Sequence, residues 1–150
     1  MADIEEIRSI ATQVRHAMDN LIANNEISHN WIPYGRFPKG CCGDISKILI
    51  QHFKNLGYGD ADYMSGIDYG ISSHAWIRLS GICIDITADQ FNNQHYSERS
   101  FTFGIYQNVI VEYEENYPLS EIFPLDKKPS TRKDFDNSLY KLIRKSLNLE

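Results

Sequence analysis

Three short segments of the chain carry a thiol, an imidazole and a carboxylate, the groups that a cysteine-dependent enzyme uses. The thiol is Cys42 in the run KGCCGDIS, the imidazole is His74 in HAW, and the carboxylate is Asp85 in IDIT. A thiol is a strong nucleophile only as a thiolate, which a neighbouring base or a helix N-terminus favours. The base needs a partner that fixes its tautomer. The three residue types in this order therefore predict a nucleophile, a general base and an orienting carboxylate.

The residues after Cys42 predict an amphipathic helix that begins at or near this cysteine. Apolar side chains recur at helical spacing, and Gly57 stands where such a helix would end. The apolar positions are Ile45, Ile48, Leu49, Phe53 and Leu56. Unpaired N–H groups and the positive end of the dipole at a helix N-terminus favour a thiolate. The pattern therefore places Cys42 where a thiol would be activated.

Residues 73–79 and 82–87 alternate with period two around Ser80-Gly81, which predicts a β-hairpin with a two-residue turn. Pairing Leu79 with Ile82 predicts one apolar face and one mixed face, because opposite residues share a face. The apolar face holds Ala75, Ile77, Leu79, Ile82, Ile84 and Ile86, and the other holds His74, Trp76, Arg78, Cys83, Asp85 and Thr87. His74 and Asp85 are then diagonal neighbours, about 7–8 Å apart at the backbone. An imidazole N–H can reach a carboxylate across that distance.

These motifs resemble the core of the transglutaminase-like group of papain-like cysteine enzymes. The matching elements are GCCGDIS at residues 40–46, HAW at 74–76 and IDIT at 84–87. The resemblance covers roughly residues 37–90, and bacterial leader peptidases of lasso-peptide biosynthesis are similar in length and layout. It implies that Cys42 is the nucleophile, His74 the base and Asp85 the orienting carboxylate.

Two positions depart from the pattern of that group. Cys41 stands where the group has another small or apolar residue, so Cys41 remains an alternative nucleophile. The stretch upstream lacks the Gln that completes the oxyanion hole in papain-like enzymes, and Asn30, Trp31 or Tyr34 could replace it. Our candidates for oxyanion-hole or cleft residues are Cys41, Trp31, Trp76 and Gln90, and Asp89 could also line the cleft.

Structural roles and metal binding are alternative explanations for these residue types. Cysteine is often a core residue, a strand histidine can simply be hydrogen-bonded, and Asp85 could cap a loop. Zinc ligand types are present at Cys41, Cys42, Cys83, His52 and His74. Adjacent cysteines converge poorly on one ion, so we predict no metal site and no cofactor. Cys83 is predicted to be a packing residue.

Length and composition predict one domain over residues 1–150. The chain is 42% hydrophobic, enough for one sizeable core, and shows no compositional break. Apolar stripes predict an N-terminal helix from Ile4 to Leu21 and a C-terminal helix over residues 135–147, and further strands are predicted at 62–66 and 106–113. We therefore expect an α+β fold with a papain-like core, in which the nucleophile helix packs on an antiparallel sheet between terminal helices.

Charge and hydropathy restrict the partners. A formal net charge of −5 disfavours nucleic acid. The acidic N-terminus and the lack of a long apolar run argue against a signal peptide and a membrane span, so we expect a cytoplasmic protein, with export by a specialised system left open. The basic residues after Leu125 could dock an acidic partner or form a solvated helix face.

The predicted chemistry is cleavage of a peptide or amide bond in a peptide or protein substrate, through a thioester on Cys42. Transfer to an amine and deamidation of glutamine use the same thioester, so a transglutaminase or deamidase, including an effector or toxin of that kind, is an alternative. A binding module that has kept the fold without turnover is an alternative of a different class.

Overall fold

The part of the chain that the structure describes contains three α-helices and one four-stranded antiparallel sheet, which confirms the α+β prediction. The structure is a computed structural model and describes residues 3–27, 37–68, 72–92, 105–126, 128–129 and 137–149. The helices are α1 (Ile4–Ala23), α2 (Cys42–Asn55) and α3 (Asn137–Ser146). The strands are β1 (Asp62–Asp68), β2 (Ser72–Leu79), β3 (Ile82–Asp85) and β4 (Ile110–Tyr113), and they lie in sequence order in the sheet.

Helix α2 packs its apolar face on one face of the sheet. The buried residues of that face include Ile45, Ile48, Leu49 and Phe53, and they share a core cluster with Ile77, Leu79, Ile82 and Ile84 of the hairpin. Each such side chain contributes about 1.5–3 kcal/mol when it is removed from water. The apolar residues whose spacing predicted α2 thus also fix the helix on the sheet, with its N-terminus beside β2.

The β2–β3 hairpin has the predicted register but is shorter than predicted. Leu79 pairs with Ile82 and Ile77 with Ile84, and Ser80 and Gly81 both have positive φ (51° and 78°), as the two central residues of a type I′ turn require. Strand β3 ends at Asp85 rather than at Thr87.

The early end of β3 has one local and one long-range cause. Oδ1 of Asp85 accepts a hydrogen bond from the Thr87 backbone N–H at 3.0 Å, the turn that an Asp side chain makes with the residue two positions on. Arg15 donates to the Ile86 carbonyl at 2.8 Å. The backbone after Asp85 therefore turns away from β2, and the predicted pairs of Ala75 with Ile86 and of His74 with Thr87 do not extend the ladder.

Strand β4 is also shorter than the predicted strand at 106–113. The Asn92 side chain donates to the Tyr106 carbonyl at 3.0 Å and accepts from the Tyr106 N–H at 2.6 Å. Because both backbone groups of Tyr106 are bound in this way, the residue lies outside the sheet. The predicted strand at 62–66 extends to Asp68 in the structure.

Residues 117–126, here called the strap, cross the sheet face opposite to α2, from the β4 side to the β1 edge. At the β1 edge, Ile67 donates its N–H to the Pro124 carbonyl at 3.1 Å, and Leu125 forms a bridge with Gly66. A Cβ on Gly66 would lie 2.2 Å from the Phe123 carbonyl oxygen, so only glycine allows the strap to come this close. The strap encloses a second apolar cluster, which includes Trp76, Phe91, Tyr117 and Phe123.

A buried polar contact connects helix α3 to helix α2. Nδ1 of His52 lies 2.9 Å from the Tyr140 hydroxyl, which also accepts from the Asn55 side chain at 3.1 Å. Burial and the nearby charge of Arg144 lower the pKa of His52 to about 4. His52 is therefore neutral in the folded protein at pH values where an exposed histidine is charged.

We expect the free energy of unfolding to fall by up to ~3 kcal/mol as the pH drops from about 6.5 to about 4 because of His52. In that window the unfolded chain binds a proton at His52 and the folded chain does not, so stability rises with pH. Urea unfolding at graded pH measures the slope, and His52→Gln should flatten it. The control is His16→Gln on the exposed side of α1, which should keep the slope. An unchanged slope in His52→Gln would contradict the assignment.

Candidate active site

Cys42, His74 and Asp85 come from three different elements and meet at one end of the hairpin. Cys42 is the first residue of α2, His74 lies in β2, and Asp85 is the last residue of β3. Nε2 of His74 lies 2.7 Å from Oδ2 of Asp85, and both side chains are buried. The Cys42 thiol lies against the His74 ring.

The early end of β3 makes room for the Cys42 thiol. In a hairpin with a two-residue turn, Leu79 and Ile77 direct their backbone N–H groups toward β3. Ala75, two residues before Ile77 in the chain, directs its N–H the same way. Since β3 has ended there, the Ala75 N–H donates to the Cys42 sulfur instead. The sulfur therefore has both the histidine ring and a backbone donor as neighbours.

The hydrogen bonds of His74 indicate which ring nitrogen faces the thiol. Asp85 occupies Nε2, so Nδ1 is the nitrogen available to Cys42. The side-chain nitrogen of Gln90 lies 3.3 Å from Nδ1 and 3.4 Å from the Thr87 hydroxyl oxygen. Gln90, a predicted cleft residue, is thus buried beside the ring and contacts the base directly.

The electrostatics of the site favour a thiolate and an imidazolium. Burial by itself raises the pKa of Cys42, but the hydrogen bond and charge of His74, with the Ala75 N–H, outweigh burial and lower it below the usual value. Burial likewise lowers the pKa of His74, and the charge and hydrogen bond of Asp85, together with Cys42, raise it to about 9. Below about pH 9, His74 is therefore protonated beside a thiol that ionises readily.

Asp85 is held by donors on both of its oxygens. Oδ1 accepts from Thr87, and Oδ2 accepts from His74 and from the Tyr117 hydroxyl, each at 2.7 Å. Burial raises the pKa of Asp85, but the charge and hydrogen bond of His74, then the hydrogen bonds of Tyr117 and Thr87, hold it below the usual value. Sequence reasoning missed Tyr117, because no spacing or motif links it to Asp85.

Aromatic rings enclose the imidazole of His74. The Trp76 ring stacks at 5.7 Å, the Phe91 ring meets it edge-on at 4.9 Å, and the Phe123 ring lies at 5.5 Å. Trp76 is 2% exposed and supports the histidine rather than lining an open cleft. The base is thus shielded from water, while Cys42 is only partly buried.

A second residue that sequence reasoning missed is Arg15 of α1. It binds both carboxylate oxygens of Asp89, at 2.7 and 2.8 Å, and its guanidinium lies 4.8 Å from the centre of the Phe37 ring. Arg15 therefore ties the segment after Asp85 to the segment before Cys42. Asp89, which the sequence suggested as a cleft residue, has both carboxylate oxygens engaged in this ion pair. An arginine on the apolar stripe of a predicted helix was the signal that could have revealed it.

The remaining candidates from the sequence are either buried in the core or lie outside the described residues. Cys41 is fully buried in the α2 core, with its sulfur 3.4 Å from the Lys39 carbonyl oxygen, so its side chain does not line the site. Cys83 is buried as a packing residue, and burial with the charge of Glu114 raises its pKa to about 12. Trp31, Asn30 and Tyr34 lie outside the described residues.

Within the described ranges, no group of three or more His, Cys, Asp or Glu residues could hold a metal ion. Nor does any helix there combine the length and apolar character needed to cross a membrane. Of the basic residues after Leu125, Lys128, Lys141 and Lys145 are exposed, whereas Lys127, Arg132 and Lys133 lie outside the described ranges.

Comparison of the chain with protein-family models, with curated proteins and with solved structures gives no match. Inferences about function therefore depend on the geometry of this chain. That geometry consists of a partly exposed thiol, a buried imidazole and a buried carboxylate in series, which is an arrangement suited to nucleophilic attack by sulfur.

Proposed function

We propose that this protein is a cysteine-nucleophile enzyme that acts on a peptide or amide bond through a thioester on Cys42. The observation that supports this most directly is the chain of contacts from Cys42 to His74 to Asp85. A thiol, a base and an orienting group in contact form the pattern of a nucleophilic triad. An α2 helix packed on the antiparallel sheet is consistent with a transglutaminase-like, papain-like core, which we propose as the finer description of the fold.

In the first half-reaction, the Cys42 thiolate attacks the carbonyl carbon of the substrate. The negative charge that develops on the carbonyl oxygen would be stabilised by backbone N–H groups at the start of α2, where Cys41 provides no side-chain cap. The Nδ1 proton of His74 passes to the leaving amine as the carbon–nitrogen bond breaks. The products are a thioester on Cys42, a free amine and neutral His74.

In the second half-reaction, neutral His74 takes a proton from water as the water oxygen attacks the thioester carbonyl. The carbon–sulfur bond breaks, Cys42 leaves as thiolate, and His74 is again protonated. Asp85 stabilises the protonated ring and keeps Nε2 as its donor, so Nδ1 faces the reacting atoms in both steps. An amine in place of water would give acyl transfer, and a glutamine side chain as the substrate would give deamidation.

We expect Cys42 to react with iodoacetamide at pH 6, where an ordinary thiol with a pKa near 8.5 is almost entirely protonated. His74→Ala removes the hydrogen bond and charge that lower the pKa of Cys42, so alkylation at pH 6 should slow by at least about tenfold. Mass spectrometry of the labelled site separates Cys42 from Cys41 and Cys83, which are both buried.

The matched control is His16→Ala, an exposed histidine of α1, which should leave the alkylation profile unchanged. Alkylation of Cys42 only above pH 8, or at equal rates in the wild type and in His74→Ala, would contradict an activated nucleophile and favour the binding-module alternative. A substrate panel then separates the reactions: unfolded protein for peptide cleavage, a glutamine peptide for ammonia release, and the same peptide with a labelled primary amine for transfer.

A further inference from the structure

Tyr117 approaches the candidate active site from outside the three elements that carry Cys42, His74 and Asp85. It lies in the strap, between the short 3-10 turns Glu114–Asn116 and Pro118–Ser120. Its hydroxyl lies 2.7 Å from Oδ2 of Asp85, the oxygen that also faces His74, and its side chain is 2% exposed. A buried polar group in such a place needs a partner, and Asp85 is that partner.

The direction of this hydrogen bond is defined by the charges around it. Burial and the charge of Asp85 raise the pKa of Tyr117 well above its usual value, so the phenol keeps its proton. Asp85 is ionised and can only accept. Tyr117 is therefore a permanent donor to the carboxylate.

The geometry of the donors restrains the carboxylate. Thr87 donates to Oδ1, while His74 and Tyr117 donate to Oδ2. Without Tyr117, Oδ2 would have one described side-chain donor left, and the carboxylate could turn about its Cβ–Cγ bond away from the imidazole. Hydrogen bonds to a charged group are among the stronger ones in proteins, so this restraint is substantial.

The backbone that carries Tyr117 is itself held at several points. The Ser120 hydroxyl donates to the Tyr117 carbonyl at 2.8 Å, and the Tyr117 N–H donates to the Glu114 carbonyl at 3.3 Å. Further along, the strap is bound to the β1 edge, and Phe123 packs against the His74 ring. One segment therefore contacts both members of the Asp85–His74 pair.

We propose that Tyr117 is a positioning residue, which acts through Asp85 to hold His74 in the orientation and tautomer that the reaction at Cys42 needs. This inference rests on the proposed function. The hydroxyl of Tyr117 donates to Asp85, so its effect on the reaction at Cys42 is indirect. The strap is thus a functional part of the site and not only a cover for the second apolar cluster.

The test is a double-mutant cycle between Tyr117→Phe and Asp85→Asn, with alkylation of Cys42 at pH 6 as the readout. Phenylalanine keeps the ring that packs on Trp76 at 5.1 Å and removes only the hydroxyl. Tyr117→Phe should slow alkylation about tenfold in the wild type, the size expected from losing one hydrogen bond to a charged group. In the Asp85→Asn background, the same substitution should change the rate by less than about twofold.

Tyr140→Phe is the matched control, because Tyr140 is also a buried tyrosine with a hydrogen-bonded hydroxyl but contacts His52. It should leave the alkylation rate unchanged in both backgrounds. A tenfold effect of Tyr117→Phe in both backgrounds, or no effect in either, would overturn the positioning role. A wild type without an activated Cys42 would instead overturn the proposed function itself, and the inference with it.

A spectroscopic readout makes the test independent of the double variant. At about pH 10, above the pKa of about 9, His74 is neutral, and nitrogen NMR of the ring reports which nitrogen carries the proton. The wild type should hold the proton on Nε2, facing Asp85. Tyr117→Phe should increase the fraction of molecules in which His74 carries the proton on Nδ1. An unchanged fraction would contradict the proposal.

Discussion

Turnover in Cys42→Ala is expected to fall by at least about 10⁴, because removing the nucleophile eliminates the covalent route altogether. The sulfur of Cys42 is the only described thiol that is not buried, and its pKa is lowered by His74 and the Ala75 N–H. Alanine leaves the start of α2 intact, so the variant should fold. The measurement is the rate of cleavage or ammonia release on whichever substrate the wild type accepts, with thermal unfolding to check the fold.

Cys41→Ala and Cys83→Ala are the matched controls for that experiment. Both thiols are buried in apolar clusters. Each variant should keep at least about a tenth of wild-type turnover, since a small cavity lowers stability more than it disturbs the site. Loss of turnover in Cys41→Ala with Cys42→Ala still active would make Cys41 the nucleophile.

Asp85→Asn is expected to lower turnover by on the order of 10²–10⁴ while leaving measurable alkylation of Cys42. Asp85 accepts hydrogen bonds on both oxygens, and asparagine has one oxygen and one NH₂ group. If its oxygen stays with Thr87, the NH₂ group faces Nε2 of His74 and donates to it. The ring proton must then move to Nδ1, and the neutral ring can no longer accept a proton there.

The control for Asp85→Asn is Asp62→Asn, which removes a carboxylate of the same sheet that pairs with Arg78 at 2.9 Å near the surface. Asp62→Asn should keep wild-type turnover within about twofold, because a surface ion pair contributes little to stability. Wild-type turnover in Asp85→Asn would show that another group orients His74. Asp89 is not free to do so, since Arg15 holds both of its oxygens.

Local patterns in the sequence were sufficient for the elements that carry the site. The helical spacing after Cys42 predicted α2 with Cys42 at its first turn, and the period-two alternation around Ser80-Gly81 predicted the hairpin register. Both patterns are short-range, because a helix face and a hairpin pairing depend on residues close in the chain. The register alone placed His74 and Asp85 as neighbours on one face, which the structure shows at 2.7 Å.

Long-range contacts decided what the sequence left open. Tyr117 is 32 positions from Asp85 and Arg15 is 74 positions from Asp89, and no periodicity spans such separations. The early end of β3 also followed from tertiary contacts, since Arg15 of α1 takes the Ile86 carbonyl that the ladder would have used. That ending left the Ala75 N–H for the Cys42 sulfur. The sequence by itself determined which groups could react, whereas the packing of α1 and the strap decided how the thiol, the ring and the carboxylate are held together.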